Sequence, residues 1–126
     1  MVPTDLRYTN DHEWVRIEGE EATIGITAYA ADQLGDIVFV ELPEPGGAIE
    51  QAATFGVVES VKAVSDLFAP ISGEVIAANP ELGANPELVN SDPYGAGWML
   101  RVRLADAGQV EDLLDGAAYD ALIAAG

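Results

Sequence analysis

Short stretches of alternating or continuous apolar residues recur along the chain between clusters of Gly, Pro, Asn and Asp. His12 to Glu18 and Glu21 to Ile26 are rich in β-branched and aromatic residues and are split by Gly19, which predicts an opening hairpin. Thr27 stands as a side-chain N-cap before Ala28-Tyr29-Ala30-Ala31-Asp32-Gln33-Leu34. Gly35 then supplies the left-handed position that ends a helix, so a short helix is predicted over 28–34. Ile37-Val38-Phe39-Val40 is continuously apolar and predicts a buried strand, stopped by the turn Pro43-Glu44-Pro45-Gly46-Gly47. Thr54 to Val61 and Ala63 to Ala69 predict two strands placed symmetrically about Lys62, with Pro70 closing the second. The intervening Ser60-Val61-Lys62-Ala63 holds no Gly, Asn or Asp for the positive φ of common two-residue turns, so local turn chemistry specifies this hairpin only weakly.

Gly73 to Ala77 predicts a further strand, and Asn79 to Gly97 a long connection. Within it Asn85 is expected to cap one helical turn, with Pro86 at the first helical position. Trp98 to Leu104 alternates apolar and basic residues near its end, the pattern of a strand with one wet face, and Trp98 is expected in the core. At the C-terminus Val110, Leu113, Leu114, Ala117, Ala121 and Leu122 recur at helical spacing. Gly116 interrupts that stripe, which predicts two short helices, the second capped by Asp115. Many short strands with helices confined to the edges predict a mainly β fold, a β-sandwich or flattened barrel with short peripheral helices. A single domain over residues 1–126 is expected at this length.

Composition narrows the function classes. A 49% hydrophobic share excludes a disordered chain, and no apolar run approaches the roughly 18 residues of a membrane-spanning helix. The formal net charge of -17 makes nucleic acid and membrane surfaces unfavourable partners. The first six residues lack the cationic and apolar regions of a secretory signal, so a cytoplasmic location is expected. With no cysteine, thiol nucleophiles, disulfides and thiolate metal sites are absent. Enzyme readings lack parts: the single histidine, His12, lies in a strand-like segment, and there is no G-x-S-x-G, P-loop or G-x-G-x-x-G. No catalytic residue and no metal ligand set is assigned. His12-Glu13-Trp14 is better explained as a strand with Trp14 packed inward than as a ligand or gate. Asn90-Ser91-Asp92-Pro93-Tyr94-Gly95 reads equally well as a partner contact or as a turn-forming loop.

The five cations are Arg7, Arg16, Arg101, Arg103 and Lys62, so Lys62 is the only lysine in the chain. A lone surface lysine ordinarily carries no function. Here it is placed at a strand-to-strand tip, Glu59 precedes it by three residues, and an acyl-transferring enzyme would find no competing lysine amine. This is the pattern of a carrier for a covalently attached arm.

Phe55-Gly56-Val57-Val58-Glu59-Ser60-Val61-Lys62-Ala63-Val64-Ser65-Asp66-Leu67, continuing to Val75, resembles a lipoyl attachment segment of the glycine cleavage system H protein family. The likeness extends in order over His12-Glu13-Trp14-Val15, Gly25-Ile26-Thr27, Leu34 to Pro43 and Asn90 to Trp98, from about residue 7 to residue 122. The resemblance implies a flattened β-barrel/sandwich hybrid of the lipoyl/biotinyl-domain type, with lipoic acid carried on Lys62. It also implies a non-enzymatic shuttle. The lipoyl arm would accept an aminomethyl group from a pyridoxal-phosphate glycine decarboxylase and deliver it to an aminomethyltransferase using tetrahydrofolate. A dihydrolipoamide dehydrogenase using FAD and NAD would reoxidise it.

By the same resemblance Glu59 and Gly73 match positions read by the lipoylating enzyme, the loaded arm folds back into a surface cleft, and a monomer is expected. A second role as lipoyl or octanoyl donor occurs in the family. Ala28 stands where the family often has an acid, and Arg101 where a lysine is common. A lipoyl domain of a 2-oxoacid dehydrogenase complex would carry Asp-Lys-Ala at the tip, and a biotin carrier would flank its lysine with methionines. An unmodified protein-binding module is the alternative from another class.

Overall fold

The computed structural model describes residues 2–125. Its strands are β1 (Arg7–Tyr8), β2 (Glu13–Glu18), β3 (Glu21–Ile26), β4 (Ile37–Glu41), β5 (Ala48–Ile49), β6 (Thr54–Ser60), β7 (Val64–Phe68), β8 (Gly73–Ala78) and β9 (Leu100–Leu104). Helices α1 (Ala28–Leu34), α2 (Leu88–Ser91) and α3 (Gly116–Ala125) lie between and after them, with 3-10 turns at Pro80–Gly83 and Ala107–Asp112. The strands form a six-stranded sheet of order β1-β2-β3-β9-β8-β5 and a three-stranded sheet of order β4-β6-β7, antiparallel throughout and not closed into a barrel. None of the helices among the described residues is long and apolar enough to cross a membrane.

Alternation sets what each sheet buries. Val15, Ala22, Ile24, Ile49, Val75, Leu100 and Val102 of the large sheet meet Ala69 and Ile71 in one core cluster. Ile26, Ile37, Val58, Leu67 and Met99 form a second cluster, under α1 and the 80–91 segment, with Ala31, Leu82 and Val89. Leu42 and Phe55 pack against both clusters. On the outer face of the large sheet Trp14 joins Val2, Leu6, Tyr8 and Tyr119 in a third cluster beneath α3. Gly25 lies directly under the Trp14 ring: a Cβ there would stand 2.7 Å from three of its ring atoms.

Most predicted boundaries hold. Thr27 Oγ1 accepts the Ala30 amide and Gly35 ends α1 at φ 83, while Asp115 caps α3 through the Ala118 amide at 2.8 Å. Three expectations are corrected. The segment at Ile37 to Val40 is an edge strand with Val38 and Phe39 exposed, because a β-bulge between Ile37 and Phe39 breaks the alternation. Asn85 does not cap the helix near 88; Asn79 caps the preceding 3-10 turn through the Glu81 amide, and α2 begins after Glu87 with no side-chain cap. Trp98 is half-buried against the third cluster instead of sitting in the core.

Candidate functional site

Strands β6 and β7 pair from Thr54↔Phe68 to Glu59↔Val64, which leaves Ser60-Val61-Lys62-Ala63 as the turn. The Ser60 amide donates to the Ala63 carbonyl at 2.8 Å, and Ser60 Oγ accepts the amides of Ala63 at 3.1 Å and Lys62 at 3.3 Å. The Ser60 hydroxyl thus holds the two turn amides, and the turn closes without a positive φ at Val61 or Lys62. Lys62 is exposed at the tip.

The tip is also held from outside the hairpin. The Val61 amide donates to the Asp36 carbonyl at 3.0 Å. Asn90, on α2, brackets that carbonyl's own segment: Oδ1 accepts the Ile37 amide at 2.8 Å and Nδ2 donates to the Gly35 carbonyl at 2.9 Å. Gly35 lies under the lysine stem, so that a Cβ there would stand 3.3 Å from Lys62 Cε. Asn90 is therefore a structural clamp two contacts from Lys62. The rest of its loop is tied down as well, by Trp14 Nε1 donating to the Pro93 carbonyl, Arg16 to the Tyr94 carbonyl, and the Ala28 amide to Tyr94 Oη.

The other cations lie elsewhere. Arg7, Arg16, Arg101 and Arg103 all belong to strands of the large sheet. Arg101 pairs with Glu18 and Glu21, Arg103 pairs with Glu74, and the Arg16 guanidinium sits 5.0 Å from the centre of the Trp14 ring. Glu59 faces outward on β6, one residue before the turn. Gly73 is not brought to the surface with it. It is buried on β8, where a Cβ would collide with the Arg103 carbonyl oxygen across the sheet. That close approach by itself requires glycine.

At the base of the hairpin, opposite the tip, a groove of about 230 Å³ is lined by Thr9, Asp11, Glu13, Gln51, Ala69 and Pro70 among others. Glu13 is only 2% exposed. One carboxyl oxygen accepts the Thr9 hydroxyl at 2.6 Å, and the other faces the Phe68 amide of the small sheet at 3.3 Å. Burial pushes this carboxyl up to about 7, against the opposing pull of those two hydrogen bonds. Sequence reading weighs Glu13 only as part of His12-Glu13-Trp14, where a strand with Trp14 inward is favoured, and does not single out its burial. His12 lies just before β2 at φ 69, with Nδ1 2.7 Å from Tyr119 Oη, which in turn is 2.8 Å from Thr27 Oγ1. Its ring ties the start of β2 to α3, and burial lowers its pKa.

Comparison with known proteins gives one consistent answer. The family model described as "Glycine cleavage H-protein" matches residues 6–125. The glycine cleavage system H protein of Magnetococcus marinus is 61% identical over 120 residues, covering 95% of this chain and 86% of that one. Its counterpart in Symbiobacterium thermophilum is 56% identical, covering 95% of this chain and 94% of that one. The crystal structure of a glycine cleavage system H protein from Mycobacterium marinum superposes with a TM-score of 0.90 at 40% identity, covering 98% of this chain and 99% of that one. This chain, with its lysine-tipped hairpin braced by the Asp36 and Asn90 contacts, belongs to the glycine cleavage H-protein family.

Proposed function

We propose that this protein is a lipoyl carrier and that Lys62 Nζ is the attachment point. The observation that carries the reading is the placement of the chain's only lysine at an exposed, braced hairpin tip. The site fits an amide-linked arm, since the amine reaches solvent and the ion pairs among the described residues use arginines. Bound there, the lipoyl group supplies a reducible dithiolane for moving an aminomethyl unit from a glycine decarboxylase to a tetrahydrofolate-dependent aminomethyltransferase, with dihydrolipoamide dehydrogenase restoring the disulfide.

The chain's own residues do the positioning. Ser60, Asp36 and Asn90 fix the origin of the arm, and Gly35 leaves room for the lysine stem. The groove at the hairpin base, walled by Asp11 and Glu13, offers an ammonium-bearing arm an acidic surface. Glu59 faces the lipoylating enzyme. Gly73 acts on that step as a positioning residue, by letting β8 lie close on β9. In this reading the protein works as a single domain and a monomer in the cytoplasm.

Intact mass and peptide mapping test this on protein made in cells supplied with lipoate, beside Lys62→Arg. A single lipoyl increment on Lys62 that is lost in the variant is expected, followed by aminomethyl acceptance with glycine decarboxylase. No increment in the presence of a competent lipoylating enzyme, or no acceptance by lipoylated protein, would overturn the reading.

A further inference from the structure

Four of the five large apolar side chains exposed among the described residues surround Lys62: Val38 at 52%, Phe39 at 47%, Val61 at 69% and Val64 at 67%. Register explains the grouping. Phe39 pairs with Glu59 and Glu59 with Val64, so these three side chains form one row across the outer face of the small sheet, next to the tip. The next row on that face is Glu41, Val57 and Asp66. The bulge at Val38 creates this surface. Regular alternation after the buried Ile37 would turn Phe39 inward, whereas the extra residue turns Val38 and Phe39 both outward.

Exposing a phenylalanine and three valines beside one another has a hydration cost that nothing in the fold recovers. The face is also charged with one sign. Glu41, Glu59 and Asp66 lie on it, and the arginines are all on the other sheet. Its complement is an apolar surface flanked by cations. The reach of the lysine selects the occupant. Before an arm is attached, the amine stands on its own four-carbon stem, so the enzyme that acylates it must close over the residues next to the tip. Partners that act later meet the far end of a longer arm.

We propose that Val38, Phe39, Val61 and Val64 form the docking face for the lipoylating enzyme, whose entrance presents an apolar patch with a cation opposite Glu59. This rests on the carrier reading given above. It adds to Glu59 a set of contacts that decide how well the enzyme is captured, while the amine itself is unchanged.

The test uses the unlipoylated full chain, a lipoate–protein ligase, lipoate and ATP, with initial loading rates read by intact mass over a range of carrier concentrations. Phe39→Ser with Val64→Thr is expected to lower kcat/KM about tenfold, chiefly through KM. Val61→Ser with Val64→Thr, at two positions that bury little, gives the same direction without loading the core. Ile17→Thr, on the other sheet, is expected to match the unaltered chain. An amine-reactive acetyl ester should label Lys62 at one rate in every variant, which separates capture from altered lysine reactivity. Unchanged kcat/KM in both paired variants, with normal loading of the unaltered chain, overturns the docking face alone. No loading of the unaltered chain overturns the carrier reading, and the docking face with it.

Discussion

Replacing Glu13 with glutamine keeps the shape of a side chain that is 2% exposed and removes its titration. In the folded protein its carboxyl titrates at about 7, against an ordinary value of 4.5. The folded state therefore holds the proton more tightly than the unfolded state does. Stability from this group is fully present below about pH 4.5, declines as pH rises, and is gone above about pH 7. The difference between 4.5 and about 7, at 1.36 kcal/mol per pH unit, is worth about 3 kcal/mol. The assay is urea unfolding of both proteins at about pH 4 and about pH 8.5. The unaltered chain should lose about 3 kcal/mol more than Glu13→Gln over that interval, because all other carboxylates are common to the two. Parallel stability curves would refute the reasoning, since they would mean that the carboxyl gains as much from Thr9 and the Phe68 amide as it loses by leaving water.

Asn90→Ala removes the bracket on Gly35 and Ile37 and should cost about 2 kcal/mol, with amide exchange at Ile37 and Val61 accelerating more than exchange in β9. Gly25→Ala drives a methyl into the Trp14 ring and should cost about 3 kcal/mol in thermal unfolding, with a red-shifted tryptophan emission as the bond to the Pro93 carbonyl is lost. Ser60→Ala should cost about 1 kcal/mol and speed exchange at Lys62 and Ala63, since its hydroxyl holds both amides.

What the sequence makes legible is whatever short-range chemistry decides. Helix α1 could be bounded to the residue because Thr27 and Gly35 close it from both ends, and Asp115 marks the start of α3 in the same way. The Lys62 hairpin shows in the symmetry of its flanks. Its turn does not, because it is held by the Ser60 hydroxyl on the Lys62 and Ala63 amides and not by the positive-φ residues of the usual turns. Val38 and Phe39 are misread as buried, since a bulge leaves the composition of a strand unchanged and alters only which way it points. The two-residue strands β1 and β5 carry no period at all. The brace behind the tip is the least visible part. Asn90 reads as a loop residue until the fold brings it to a segment more than fifty positions earlier in the chain.

That brace has a kinetic consequence. With Val61 held to Asp36 and Asn90 clamping the residues on either side, the pivot of any arm on Lys62 is tied to the body of the protein. A carrier hung on a flexible linker visits its enzymes at an effective concentration set by linker length. On the carrier reading proposed above, the pivot belongs to the folded body, so each visit is an encounter of that body with an enzyme, and each departure requires it to dissociate. On that reading throughput depends on carrier abundance and on release rates, and a surface that grips any one enzyme too well would slow the entire circuit.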